Sequence, residues 1–368
     1  MRKSDFDVAI IGGGPAGTAA AISLLRYARM RVILLESSNY NISLPGQAIS
    51  PDVIPLLEYL NARAGFEHDN HVSSFGISAA WGSNEIMNRD FIFRAEGRGW
   101  NLDRARFDRR LAGMVSELGG LVVTEARVSW SSEADGMWNL SFARGVEPKR
   151  ELVVRFVIDA TGYKAVFARS WGASKRVDDQ LLAAALVLNT GDGATLSHCL
   201  LVESVPDGWW YRAALGDGRV AVVFLSDPLT IRNLRLERVA NFLELIRQTV
   251  HMKQQLEDAV PEGIPCLRAA YSSLLQPLGS SNWVAAGDAA VSFDPLSSAG
   301  IGHALYSGIQ AARVAWGQIM GRTGAFGAYA AGIIGTYQRY RRVRNAYYLQ
   351  EQRWPNHHFW GICHASRT

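Results

Sequence analysis

The stretch Asp7-Val8-Ala9-Ile10-Ile11-Gly12-Gly13-Gly14-Pro15-Ala16-Gly17 decides how this chain is read. Its first five residues form a short apolar, β-branched run, as expected of a strand buried on both faces of a parallel sheet. An alanine-rich helix is predicted from Thr18 to Leu25, then a second strand from Arg31 to Leu35 that ends at Glu36. A glycine-rich turn between strand and helix, with an acid closing the next strand 19 positions after Gly17, is the βαβ arrangement that holds a dinucleotide. Gly12 permits the tight turn, and Gly14 lets the backbone approach a pyrophosphate. Pro15 and Ala16 open the helix, and Gly17 lets it pack on the strand with its positive end toward the phosphates. Glu36 is placed to accept hydrogen bonds from an adenosine ribose.

That turn does not distinguish a nicotinamide from a flavin dinucleotide. Two distant segments do. Phe156-Val157-Ile158-Asp159-Ala160-Thr161-Gly162 is a buried strand entering a small-residue turn, and Trp283 to Ala286 is another, ending in Gly287-Asp288. Phe293-Asp294-Pro295-Leu296-Ser297-Ser298-Ala299-Gly300-Ile301-Gly302-His303 then opens a long helix. A carboxylate at a strand end, Asp159 or Asp288, can hold a ribityl hydroxyl. A Ser/Gly/Ala loop entering a helix presents backbone N–H groups to an electron-rich ring edge.

Taken in order, these three segments resemble the FAD-dependent aromatic hydroxylases of the p-hydroxybenzoate hydroxylase type, over most of the chain. The tryptophan-halogenase-like branch of that superfamily is the nearest resemblance. Four stretches point to it: Gly46 to Leu60, Gly99 to Asp108, Asp207 to Tyr211 with Gly216 to Arg219, and Arg353 to Trp360. The resemblance implies a Rossmann-like FAD-binding domain interwoven with a β-sheet substrate domain, an α/β fold, followed by a helical C-terminal segment. It implies FAD contacts from Gln47 (a Glu in the branch), Arg104, Asp159, Gly162, Gly287 and Asp288. Pro295, Gly300 and Ile301 would lie beside the isoalloxazine.

Hydroxylases and halogenases of this kind both use reduced FAD and oxygen to form a flavin hydroperoxide, and halogenases relay hypohalous acid through a lysine. The resemblance puts that lysine in the region of Gly65 to Trp81, and this sequence has no lysine between Lys3 and Lys149. Arginine does not replace it chemically. The expectation is therefore an FAD-dependent monooxygenase that hydroxylates an aromatic, indole-type ring. The acceptor would be an aromatic small molecule or a tryptophan-bearing protein, as for the flavoproteins that mature tryptophylquinone cofactors. NADH, NADPH or a separate reductase would supply electrons. Trp81, Trp209, Tyr211 and Phe293 are candidates for an aromatic pocket, with core packing as the plain alternative; strand alternation lets only one of Trp209 and Trp210 face it. His303 is a candidate for proton transfer, with a packing role as the alternative. A halogenase without the usual lysine, an isoprenoid-type flavoprotein reductase and a non-catalytic FAD-binding maturation factor are the other readings.

Composition fits this frame. Hydrophobic residues make 48% and charged residues 20% of 368, which excludes a disordered or coiled-coil chain. The net charge of +4 is spread too thinly for a nucleic-acid surface. Three distant cysteines give no disulfide framework, and His68 and His71 lack partners for a metal site. No apolar run reaches membrane-spanning length, so a cytoplasmic protein is expected. The expected division is 1–42, 98–172 and 275–320 for FAD, 43–97 and 173–274 for substrate, and 321–368 as the helical segment. Within it, one helix is predicted from Leu234 to Leu256, and two from His303 to Met320 and Phe326 to Arg353. The last carries Tyr337, Tyr340, Tyr347 and Tyr348 among arginines, and would cover the pocket, dock an acidic partner, or pack its aromatic stripe on the core.

Overall fold

A computed structural model describes residues 4–41, 47–91, 97–191 and 197–365. Gly46 lies outside these residues, and so does the side chain of Gln47.

The apolar runs singled out above assemble into one seven-stranded sheet. It contains β1 (Phe6–Ile11), β2 (Val32–Leu35), β3 (Leu121–Val123), β4 (Ala126–Ala134), β5 (Met137–Arg144), β6 (Arg150–Asp159) and β7 (Trp283–Ala285). The order is β3-β2-β1-β6-β5-β4, with β7 also pairing β6. β3, β2, β1, β6 and β7 are parallel to one another, and β5 and β4 run antiparallel as an added meander. Val8, Ala9 and Ile10 are fully buried, as expected of a strand covered on both faces.

Helix α1 (Pro15–Ser23) is buried along its whole length, because α2 (Arg104–Glu117) and α3 (Gly300–Ile319) pack against it. Its alanines leave room for that double contact. The chain leaves β1 toward β2 and returns through β6 on the other side, so the crevice beyond the carboxyl ends of β1 and β6 is a topological switch point.

A second seven-stranded sheet holds residues 76–80, 87–90, 182–189, 200–205, 208–216, 219–226 and 260–269. It carries a core on each face. Trp210 packs on Phe224 and Phe242, whereas Trp209 faces Tyr348 and Trp360, so the two neighbours do point to opposite faces. Two small three-stranded sheets tie the halves: Gln47–Ile49 with Gly99–Leu102 and Val72–Ser74, and Ser174–Val177 with Ser273–Gln276 and Val291–Ser292.

The long helix expected over Leu234 to Leu256 is instead three short ones: Pro228–Leu234, Val239–Arg247 and Met252–Leu256. Two caps account for the breaks. Arg235 adopts a left-handed conformation, and Asn241 donates to the Leu234 carbonyl. Farther on, the buried Glu203 carboxylate accepts the N–H groups of Val250, His251 and Met252, which starts a new helix there. The chain ends in α4 (Ala325–Gln350) and α5 (His358–Ala365). No described helix is long and apolar enough to cross a membrane.

Candidate functional site

Register brings the three glycine-bearing motifs together. Ile11 lies beside Asp159, and Asp159 beside Ala285, so Gly12, Ala160 and Ala286 follow side by side at one sheet edge. Backbone hydrogen bonds lock them: Ala160 N–H to the Ile11 carbonyl, and Ala286 N–H to the Asp159 carbonyl, each 2.8 Å.

Sterics explain the glycines of the first turn. Gly12 has φ +106°, and a Cβ there would lie 2.1 Å from the Ala160 oxygen. A Cβ on Gly17 would lie 1.9 Å from the Gly12 oxygen. Gly14 differs, because a Cβ there meets nothing within 4 Å. Its backbone borders open space at the start of α1, the end that favours an anion. Gly300 and Gly302, at the start of α3, border open space in the same way.

Around that cradle the structure gathers Glu36, Arg104 and Asp288. One Glu36 oxygen accepts the Gly13 N–H at 2.6 Å and the other the Ser38 N–H at 2.7 Å. Arg104 is buried and paired with Asp108 at 2.9 Å. Asp288 is solvent-exposed although protein mass surrounds it, as at the floor of a cleft. That surrounding mass raises its pKa, while Lys175 and Arg104 pull it down. Gly287 N–H donates to Ser307 on α3, which ties this turn to the loop helix.

One sequence expectation needs correction, and two tryptophan candidates take the packing alternative. Asp159 does not face the cleft: it is fully buried, and its oxygens accept from Thr161 N–H, Thr161 Oγ1 and Ala168 N–H. It shapes the turn at Gly162 and has no free edge for a ribityl hydroxyl. Trp209 is 1% exposed and donates to the Tyr348 hydroxyl. With Trp81 it belongs to a packed ring cluster containing Tyr348 and Trp360. Phe293 stands apart from that cluster, edge-on to His303 and Tyr340. Tyr211, half-buried, lies beside Trp209 at 6.3 Å between ring centroids.

His303 is set in the first turn of α3 with its Nε2 buried and unpartnered. Burial depresses its pKa to about 4, so the imidazole is neutral at physiological pH. A neutral ring can accept or pass a proton at that atom, but it carries no charge there. Pro295 begins the short 3-10 turn Pro295–Ser297, half-buried, and Ile301 packs its side chain into the core.

Three participants escaped sequence reasoning, and a fourth, Tyr348, was named there without its partner. Tyr40 donates its hydroxyl to the Gly13 carbonyl and braces the turn; nothing in its local sequence marks it. Lys175 donates to the Asp288 carbonyl at 2.6 Å and to Ser273, and burial lowers its pKa to about 8. Arg344 and Tyr348, both on α4, converge on Asp294 in the loop before α3. Arg344 Nε lies 2.9 Å and the Tyr348 hydroxyl 2.7 Å from Asp294 Oδ2, while Arg344 also reaches Asp179. The Asp294 N–H donates to Tyr340 at 2.7 Å. The loop that precedes Gly300 is therefore held from outside by α4. Among the described residues no cluster of His, Cys, Asp and Glu could hold a metal.

The open space beside Gly14, Gly300 and Gly302, together with the accessible Asp288, fits a flavin dinucleotide. Known proteins agree in shape. No family profile matches the chain. LodB of Marinomonas mediterranea, provisionally named an FAD-dependent oxidoreductase, is 28% identical over 362 residues, covering 98% of this chain and 97% of that protein. Among solved structures, the myxobacterial chondrochloren halogenase CndH, an FAD-dependent halogenase, has a TM-score of 0.89 at 21% identity, over 97% of this chain and 85% of that one. QhpG, a peptidyl tryptophan dihydroxylase essential for tryptophylquinone cofactor biogenesis, has a TM-score of 0.74 at 23% identity, over 98% and 79%.

Proposed function

We propose that this chain, an FAD-dependent oxidoreductase of the halogenase-like family, is a monooxygenase that hydroxylates an aromatic ring, with a protein-borne tryptophan as its leading substrate. The observation that carries the choice of hydroxylation is the absence of lysine from residues 4–148. Lys175, the buried lysine of the site, holds the Asp288 carbonyl and Ser273 instead of standing as a free amine. The likeness in fold to a peptidyl tryptophan dihydroxylase supports the choice of acceptor. Several flavin-dependent halogenases share the same fold, so the halide arm of the test below matters.

In this reading residues 1–42, 98–172 and 275–320 bind FAD, 43–97 and 173–274 present the substrate, and 321–368 close over both. The N-terminus of α1, with Gly14, Pro15, Ala16 and Gly17, takes the pyrophosphate. Glu36 exchanges its Gly13 contact for the ribose, and Asp288 takes the ribityl chain. Arg104 supplies positive charge beside it, and Gln47 and Gly162 border the same cofactor. The backbone of Pro295, Gly300 and Ile301 lines the flavin ring, and Asp294 fixes that backbone. Bound FAD, reduced by NADH, NADPH or a reductase, supplies the chemistry that activates oxygen. Tyr211 and Phe293 would each border the aromatic substrate and help to exclude water. His303, neutral, would move a proton at Nε2, with packing against Phe293 as the alternative role.

The test is mass spectrometry of free indoles and tryptophan peptides incubated with enzyme, FAD, a reducing system and oxygen, with and without bromide. Gain of oxygen regardless of bromide is the expected result. Gain of bromine overturns hydroxylation in favour of halogenation, and turnover that proceeds without oxygen points to a reductase.

A further inference from the structure

Helix α4 has two unlike long faces. Its inner face carries Tyr337, Tyr340, Arg344 and Tyr348, each joined to Asp178, Ser272 or Asp294. The carboxylates Asp178, Asp179 and Asp294 also neutralise the cations there, including Arg341. The outer face is different. Arg339 and Arg342 are exposed and donate only to Thr336 Oγ1 and the Gln338 carbonyl; neither has a carboxylate partner among the described residues. Beside them Ile334, Val343, Tyr347 and Leu349 are 36%, 55%, 42% and 37% exposed. Helical spacing puts Arg339, Val343 and Tyr347 in one row, with Arg342 and Leu349, seven apart, aligned beside it. Charge that the fold compensates on one side is thus left free on the other, interleaved with apolar side chains. Tyrosine and arginine around an apolar centre is the composition of a protein–protein contact, not of a purely solvated helix.

The position of this face matters as much as its chemistry. The Trp81 indole donates to the Tyr347 carbonyl, and Gly82 N–H to Glu351, so the outer face ends against the Trp81 loop. Through its other side the same helix grips the loop at Asp294. A partner seated here is held at a fixed distance from both.

We infer that the outer face of α4 docks an acidic, partly apolar segment of the protein that bears the aromatic ring to be oxidised. This rests on the protein-borne substrate proposed above. Uncompensated Arg339 and Arg342 select negative charge, and Val343 and Tyr347 give the contact its dry centre. A nucleic acid or a lipid headgroup would use the arginines without needing those two side chains.

The holoenzyme is titrated, by fluorescence anisotropy, into a labelled peptide with one tryptophan flanked by Asp, Glu and Leu. A matched peptide with Gln and Asn for the acids, an oligothymidylate and phosphatidylserine vesicles serve as comparisons. The acidic peptide is expected to bind about tenfold more tightly than its neutral match, and less tightly as salt rises. Two double variants, R339E/R342E and V343S/Y347S, are each expected to weaken it about tenfold while FAD content and unfolding temperature stay unchanged. Failure of the acidic peptide to bind, or unchanged binding by either variant, overturns the proposal. So does equal binding of vesicles or oligothymidylate that V343S/Y347S leaves intact.

Turnover separates this proposal from the one beneath it. With docking as proposed, both variants raise KM for the acidic peptide, leave its kcat alone, and do not affect a free indole. If the peptide binds through α4 yet gains no oxygen, the hydroxylase reading falls and the docking surface stands. If oxygen is gained with the same KM in both variants, the docking surface falls and the hydroxylase stands.

Discussion

The turn at Gly12 to Gly17 and the cluster around Trp209 use space in opposite ways. The turn leaves space: beyond Gly14 a Cβ would touch nothing. The cluster leaves none: Trp209, Tyr348 and Trp360 are each at most 1% exposed and touch one another or share Trp81. One region leaves room at its main-chain groups, where the proposed cofactor would fit, and the other is already filled. Substitutions in the first should therefore read out as cofactor affinity, and in the second as stability. Gly12 is the exception that tests the rule, because its missing side chain makes room for protein.

The largest effect is expected at that exception. Gly12→Val forces a branched side chain onto the Ala160 carbonyl at a positive φ, and the chain is expected to lose at least about 4 kcal/mol of stability. Soluble yield and thermal unfolding check this; a folded Gly12→Val protein would break the steric account.

Next is Arg344→Met, which strands Asp294 and Asp179 beneath α4 and should cost about 3–5 kcal/mol in denaturant unfolding. The pH dependence follows from Asp294. Burial already raises its folded pKa, and Arg344 holds it down. Without the guanidinium that pKa rises further above the unfolded value, so the folded state binds a proton that the unfolded state has released. Stability then grows as pH falls through that window, and the deficit of the variant is largest at neutral pH and shrinks toward acid. A deficit independent of pH would mean that lost packing, not lost charge, dominates.

Gly14→Ala should leave the unfolding temperature of apoprotein unchanged and weaken FAD binding about tenfold, roughly 1.4 kcal/mol, measured by flavin fluorescence. Unaltered affinity would show that the open space is not where the cofactor's phosphates approach. The smallest effect concerns His303. Its folded pKa of about 4 lies below the usual 6.5, so wild-type stability declines as pH falls from about 6.5 to about 4. His303→Phe should lack that part of the decline, visible as a difference of unfolding midpoints between the two proteins.

Legibility in the sequence divides along the same line. The cradle was readable because its rules are local: β-branched run, glycine spacing and terminal acid each act within a few residues. The alternation that sends Trp209 and Trp210 to opposite faces was readable for the same reason. What escaped reading depends on partners far along the chain. Asp159 has the right position for a ligand, but Thr161 and Ala168 claim its oxygens. The helix expected from Leu234 to Leu256 is broken, and its last piece is started by Glu203, 47 residues away from the Val250 N–H that it caps. Nothing local singles Arg344 out from the other arginines of its helix, and only the fold shows that it sits 9% exposed against Asp294.

That last pairing has a consequence for how the protein comes into being. Asp294 leaves the ribosome 50 residues ahead of Arg344. During that interval the residues of the βαβ unit are all present, while Asp294 lacks the counter-charge that Arg344 supplies. The glycine-bearing turn can thus form before the loop ahead of α3 is braced. That loop gains its brace only when the C-terminal helix has been made and Arg344 has reached Asp294.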